Sequence, residues 1–192
     1  MKRVVVAITG ASGPVYGIRL LQVLREVGVE THLVLSTSAR QTICFEAPPL
    51  TAGDVAALAH ATWEPRNVAA PIASGSFRCD GMVVAPCSMK TLAAIAHGHG
   101  DGLVARAADV TLKERRRLVL VPRETPLHLG HLRNMVAVTE MGGIVVPPVP
   151  AFYHRPRTID DLIDHTVGKI LDLLDIEHAL FERWNGPPHD ER

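Results

Sequence analysis

Val4-Val5-Val6-Ala7-Ile8-Thr9-Gly10-Ala11-Ser12-Gly13 is the stretch on which the fold turns. Five consecutive apolar, mostly β-branched residues predict a strand buried on both faces, as in a parallel sheet. The run breaks into Thr-Gly-Ala-Ser-Gly, small residues that permit a tight turn and a close backbone approach to a ligand. Pro14 suits the first turn of a helix, and Ile18, Leu20, Leu21 and Leu24 supply its buried face. Such a junction leaves free N–H groups and the positive end of a helix dipole pointing outward, which is an anion site unless it is a plain βα turn. Gly10, Gly13 and Gly17 do not follow G-x-G-x-x-G, so a standard dinucleotide site is not supported.

Working outward, Val29–Leu35 reads as a second strand, followed by a helix over Thr37–Phe45 with Glu46 at its end and Pro48-Pro49 closing it. Residues 50–72 carry little pattern beyond a short helix over Asp54–His60. Met82–Ala85 is a third strand stopped by Pro86, with helix resuming over Leu92–Ala96. Leu103–Arg115 is helical, Leu118–Val121 is a fourth strand stopped by proline, Leu132–Met141 is helical, and Ile144–Val146 is a fifth strand. Thr158 caps a long amphipathic helix reaching Leu174, and Asp175–Trp184 adds a last short helix. This alternation predicts an α/β protein, a three-layer sandwich with a Rossmann-like, mostly parallel sheet. The expected organisation is one domain over residues 1–185 with a flexible tail over 186–192.

Composition narrows the class. At 192 residues the chain suits one well-packed domain. Hydrophobic residues make up 47%, yet no apolar run approaches the roughly 20 residues of a membrane span. The first strand begins at once, leaving no room for a signal peptide. Twenty acidic and twenty basic residues cancel, so no global field draws nucleic acid or membrane. Cys44, Cys79 and Cys87 have neither zinc nor C-x-x-C spacing and fit a reduced, cytoplasmic protein.

In sheets of this kind ligands bind beyond the carboxyl ends of the strands. Those ends carry Ser12, Ser36, Ser88 with Thr91, Arg123 with Glu124, and Tyr153. Hydroxyls and backbone amides suit a ligand with a phosphate and polar ring edges, and Arg123 suits a bidentate grip on phosphate. Serines and threonines also cap helices routinely, so their shared position carries the argument rather than any one of them. The basic run Lys113-Glu114-Arg115-Arg116-Arg117 reads as a solvated helix end, with Lys113 able to turn inward. No aromatic platform accompanies it, which argues against nucleic acid. Ten histidines show no ligand set for a metal, four methionines read as core, and no G-x-S-x-G elbow supports a serine hydrolase.

Assembled in order, several segments resemble the UbiX-type flavin prenyltransferases. They are Thr9–Gly13, Ala73-Ser-Gly-Ser76, Pro86-Cys-Ser-Met-Lys-Thr91, Arg106–Arg115, Leu118–Pro126, Pro147–His154 and Arg183-Trp184, and they span residues 3 to about 185. Older descriptions of that family call its members decarboxylases or decarboxylase subunits. The resemblance implies instead an enzyme that joins a dimethylallyl group from dimethylallyl phosphate to N5 and C6 of reduced FMN. Phosphate leaves, no metal is needed, and prenylated FMN passes to a UbiD-type decarboxylase.

It also implies roles. Gly10, Ala11, Ser12, Ser36, Ser88, Met89, Lys90, Thr91, Arg106 and Arg123 would contact FMN. Ser74, Gly75 and Ser76 would line the prenyl site, and Glu46 would handle protons with Ser12 beside the flavin. Lys113, Arg123, Glu124, Tyr153 and Lys169 would surround the donor phosphate, with Trp184 closing over it. Glu124 would give a proton to the leaving phosphate and later take one from flavin C6. The family commonly forms dodecamers. Many relatives have arginine where this chain has Lys169, which trades a bidentate clamp for one ammonium contact. Two rival readings remain: an FMN-dependent decarboxylase of the cysteine-decarboxylase flavoprotein type, and a non-enzymatic flavin carrier. The first typically has an asparagine in the segment where this chain has Lys90.

Overall fold

A computed structural model of the chain describes residues 1–99, 101–184 and 186. Six strands form one parallel sheet: β1 (Arg3–Ile8), β2 (Glu30–Leu35), β3 (Ala61–Trp63), β4 (Gly81–Cys87), β5 (Arg117–Pro122) and β6 (Ile144–Val145). Their order is β3-β2-β1-β4-β5-β6, so the chain reverses its direction of travel across the sheet between β1 and β4. Among the described residues seven α-helices accompany them: α1 (Pro14–Glu26), α2 (Thr37–Glu46), α3 (Ala52–Ala56), α4 (Met89–Ala96), α5 (Leu103–Lys113), α6 (Leu129–Glu140) and α7 (Ile159–Leu173).

The alternation of side chains along each strand builds the layers. Val4, Val6 and Ile8 of β1 pack with Leu20, Leu21 and Leu24 of α1 and Val167, Ile170 and Leu171 of α7. Val5 and Ala7 point the other way, into Leu92 and Ile95 of α4, Leu103 and Ala107 of α5 and Val138 of α6. The three-layer sandwich expected from the strand–helix alternation is therefore the observed one.

Three local expectations fail. The strand β3 lies in the stretch with little pattern; it is a three-residue edge strand, too short to show alternation, paired with His32–Val34 of β2. Proline does not stop β4, which runs through Pro86 to Cys87 with a register shift against β5. A proline is tolerated at such an irregularity because no ladder N–H is needed there. Residues 175–184 form no helix but an irregular strap folded back on α7. Asp172 of α7 accepts from both nitrogens of the Arg183 fork, at 2.7 and 3.1 Å, and lies 3.2 Å from His178 Nε2. Phe181 and His178 lie against Gly168, where a Cβ would come within 2.4 Å of the phenylalanine ring. These tertiary contacts outweigh local helix propensity. Most of the expected tail, residues 187–192, lies outside the described residues.

Candidate active site

The strand-order reversal is where open α/β sheets bind ligands, and in this sheet it falls between β1 and β4. A buried threonine clasps its two sides. Thr9 Oγ1 donates to Pro86 O at 2.8 Å and accepts from Ser88 N–H at 2.8 Å, while Thr9 N–H donates to Pro86 O at 3.2 Å. Sequence reasoning quoted Thr9 within a motif but gave it no role, because a buried hydroxyl's partner is visible only once two strands are paired.

The N-termini of α1, α2 and α4 all face this edge, each following a parallel strand. Ser36 caps α2 by accepting from Ala39 N–H at 3.0 Å, and Ser88 caps α4 by accepting from Thr91 N–H at 3.3 Å. Ser88 Oγ also lies 3.0 Å from Thr91 Oγ1. Capping uses the serine lone pairs, so Ser36 keeps its own O–H for a ligand. Three positive dipole ends and the exposed Arg123 make this edge cationic. Arg123 also pulls against the burial that raises the Tyr16 phenol above its ordinary pKa, which puts Tyr16 beside the same surface. Met89 is half-buried and Lys90 exposed in the first turn of α4.

The carboxylate of Glu46 meets that positive field at α1. Glu46, the last residue of α2, accepts from Ser12 Oγ at 3.0 Å and from Gly13 N–H at 2.8 Å. It thus holds an amide at the start of α1 that an anion would otherwise take. Gly10 is exposed and Ala11 buried in the same turn. Glu124 is exposed beyond β5, its Oε1 accepting from Thr125 N–H at 3.0 Å.

The remaining candidates lie elsewhere on the chain. Lys113 ends α5, and β5 begins only at Arg117, which puts Lys113 at the amino edge of the sheet. Arg123 follows the same strand at its far end, and six residues of strand span about 20 Å. Around Lys113 a second cluster forms. Its ammonium pairs with Glu114, whose carboxyl that contact holds below its usual range. The Lys113 ammonium lies against Gly75, 2.7 Å from where a Cβ there would sit. Arg106 Nε donates to Ala73 O at 3.2 Å, and Ser74 and Ser76 share a hydroxyl contact of 2.9 Å. Arg116 is not solvated as the basic run suggested: it donates to Gly75 O at 2.9 Å and Phe77 O at 2.7 Å, fixing the Ser74–Ser76 loop.

A third group flanks α7. Tyr153, Arg183 and Trp184 line a cavity of about 640 Å³ beneath the strap. Tyr153 and Trp184 meet edge to face with ring centroids 6.1 Å apart. Lys169 is exposed on α7, 3.9 Å from Asp172. Among the described residues no hydrogen bond or ion pair joins one of the three groups to another. The candidate residues are all surface-accessible or half-buried apart from Ala11, but a single chain does not bring them to one point. Among the described residues no group of three or more His, Cys, Asp or Glu side chains could hold a metal ion, and no helix is long and apolar enough to cross a membrane.

The strand order and the cationic strand edge are those of α/β proteins that bind nucleotide-like ligands, and a family model described as Flavoprotein matches residues 1–184. Flavin prenyltransferase UbiX of Salmonella typhimurium is 57% identical over 189 residues, covering 97% of this chain and 100% of the relative. The chain belongs to the UbiX flavin prenyltransferase family. The crystal structure of AnUbiX (PadA1) in complex with FMN and dimethylallyl pyrophosphate superposes with a TM-score of 0.94 at 56% identity, covering 96% of this chain and 98% of the other. A dodecameric FMN-dependent UbiX-like decarboxylase from Escherichia coli O157:H7 gives a TM-score of 0.93 at 56% identity, covering 96% and 100%.

Proposed function

We infer that this protein is a flavin prenyltransferase joining the dimethylallyl group of dimethylallyl phosphate to N5 and C6 of reduced FMN. The observation that carries the reading is the cationic crevice at the β1/β4 reversal, in a chain so close to UbiX enzymes over its whole matched length. Reduced FMN, when bound, supplies the nucleophilic ring positions and a π-rich face.

The chain's own residues do the rest. The N-termini of α2 and α4 and the Arg123 guanidinium bind the flavin phosphate. Gly10, Ala11 and Ser12 let the flavin approach the backbone, while Ser36, Ser88–Thr91 and Arg106 complete its contacts. Glu46, bonded to Ser12 Oγ, is placed to hold a proton beside the flavin ring. Cleaving the allylic C–O bond puts negative charge on phosphate, which Lys113, Arg123 and Lys169 stabilise in place of a metal. Tyr153 adds a hydrogen bond, Glu124 passes the proton, and Trp184 closes the site against water.

Those residues occupy three separate surfaces of one chain, so the reading requires neighbouring copies. In a dodecamer like that of the Escherichia coli relative, the Ser74–Lys113 cluster and the Tyr153–Trp184 cavity of other copies complete the crevice of the first. We take residues 1–185 as the FMN-binding unit, working in the cytoplasm, with a UbiD-type decarboxylase as recipient of the product. Dimethylallyl pyrophosphate is the second donor reading, favoured by its presence in the AnUbiX crystal. The cysteine-decarboxylase alternative fits less well, since Lys90 stands where those enzymes typically carry asparagine.

Mass spectrometry tests the reading. Anaerobic mixing with reduced FMN and dimethylallyl phosphate, with excess chelator, should yield a flavin heavier by one dimethylallyl group. An unchanged flavin with both donors would refute transferase activity and leave the carrier reading.

A further inference from the structure

His165 sits in the middle of α7, 8% exposed, and its Nε2 lies 2.7 Å from Tyr153 Oη. Its ring cannot turn freely. His154 stacks flat on it, with centroids 4.5 Å apart and 7° between planes, and Phe181 packs at 4.7 Å. Tyr153 meets it edge-on at 5.4 Å. Both ring nitrogens of His154 are buried without a hydrogen-bond partner among the described residues, so His154 acts as a plate and does not compete for Nε2 or the phenol. A buried ring locked on several sides, with its one reactive edge on a tyrosine that faces a cavity, is more than a core histidine needs.

We propose that His165 is a positioning residue whose Nε2–H donates to Tyr153 Oη, leaving the phenol proton turned toward the cavity to bind the donor's phosphate. The proposal rests on the reading of Tyr153 as a phosphate ligand. A phenol that gave its proton to His165 would offer only lone pairs to an anion, so a bound anion selects the Nε2–H tautomer. Burial first, then the charges of His154 and Lys169, hold the imidazole below its ordinary pKa, so it works as the neutral ring. The clamp also fixes where the phenol points, which a free tyrosine that is 52% exposed would not do by itself.

The test compares His165→Phe, which keeps an aromatic plate but loses the donor, with His165→Gln, which restores one. Each is made in the full chain and again on Tyr153→Phe. For dimethylallyl phosphate, His165→Phe should raise KM about fivefold, the worth of one net hydrogen bond, with kcat little changed. His165→Gln should return KM to within about twofold of the parent, and on Tyr153→Phe neither change should matter further. Equal KM for His165→Phe and parent overturns the proposal, as does an equal effect with and without the Tyr153 hydroxyl. Calorimetric binding of inorganic phosphate, which needs no turnover, should weaken in the same pattern. If the parent makes no prenylated flavin yet phosphate binding follows this pattern, the transferase reading fails and the positioning role stands. If phosphate binding ignores His165, the positioning role fails whatever the turnover.

Discussion

The crevice at the β1/β4 edge and the cavity beneath the C-terminal strap are built from different materials. The first is made of backbone: three helix N-termini, two serine caps and the Thr9 clasp, each set by a strand that ends where its neighbours end. The second is made of side chains: the Tyr153–His165–His154 stack, and Asp172 holding Arg183 and His178 over Gly168. A backbone site tolerates change in its side chains but not in the sheet that aligns it. A side-chain site can be loosened residue by residue while the sheet stands.

Arg123→Ala gives the sharpest contrast. Arg123 is exposed beyond β5 and buries no core surface, so thermal stability should not change. Prenyl transfer should fall about 10²–10³-fold, the usual cost of losing a preorganised group at developing charge. A stability loss matching the activity loss would show that Arg123 holds the fold instead.

Thr9→Val keeps the shape and removes the clasp. It leaves Ser88 N–H without its acceptor inside the sheet edge, at a cost of about 1–3 kcal/mol. Chemical denaturation should register that loss, and FMN affinity should fall with it because the crevice loses alignment. Unchanged FMN binding in a destabilised variant would break the argument that the backbone sets this site. Lys169 probes the other region with a smaller expected effect. Lys169→Ala should raise KM for dimethylallyl phosphate by about tenfold, the value of one partly exposed charged contact. Lys169→Arg should do no worse than the parent, because a guanidinium can grip phosphate with two N–H groups. Equal activity in both variants would remove Lys169 from the phosphate site.

The same distinction explains what could be read from the sequence. Val4–Ile8 announces a strand buried on both faces, and the paired burial of Val4, Val6 and Ile8 against Val5 and Ala7 bears it out. Thr158 signals the start of α7, and the structure adds the reciprocal bond in which the Asp161 carboxylate accepts from Thr158 N–H. The crevice was legible because strand ends and serine caps are local in sequence. The strap was not: helix propensity over residues 175–184 lost to contacts with Asp172 and Gly168, which no local window contains. The separation of Lys113 from Arg123, by contrast, was implicit in the strand read over Leu118–Val121. Both flank β5 closely in the chain, and the strand between them puts them at opposite edges.

The smallest expected effect is the response to acid, and it separates the two halves of the molecule in pH. His165, held below its ordinary value of 6.5 by burial, takes a proton more readily when unfolded. The unfolded state therefore binds more protons as pH drops below about 6.5, and the C-terminal cavity loses stability from there downward. Glu30 behaves as a depressed carboxylate: the Arg3 hydrogen bond first, then that from His32, lowers it from 4.5 to about 2. Its contribution is intact above 4.5 and is lost only as pH falls through that range toward about 2. The chain's two tryptophans report the two regions separately. Trp184 faces Tyr153 in the cavity, whereas Trp63 Nε1 donates to His32 Nδ1 beside Glu30. Trp63→Phe and Trp184→Phe each leave one reporter for an acid titration followed by fluorescence. The Trp184 signal should change below about pH 6.5, and the Trp63 signal should respond to the loss of the Glu30 carboxylate in its lower range. A single coincident transition would mean that the strap and the sheet melt together, and that the cavity is stabilised by the sheet and not by its own side chains.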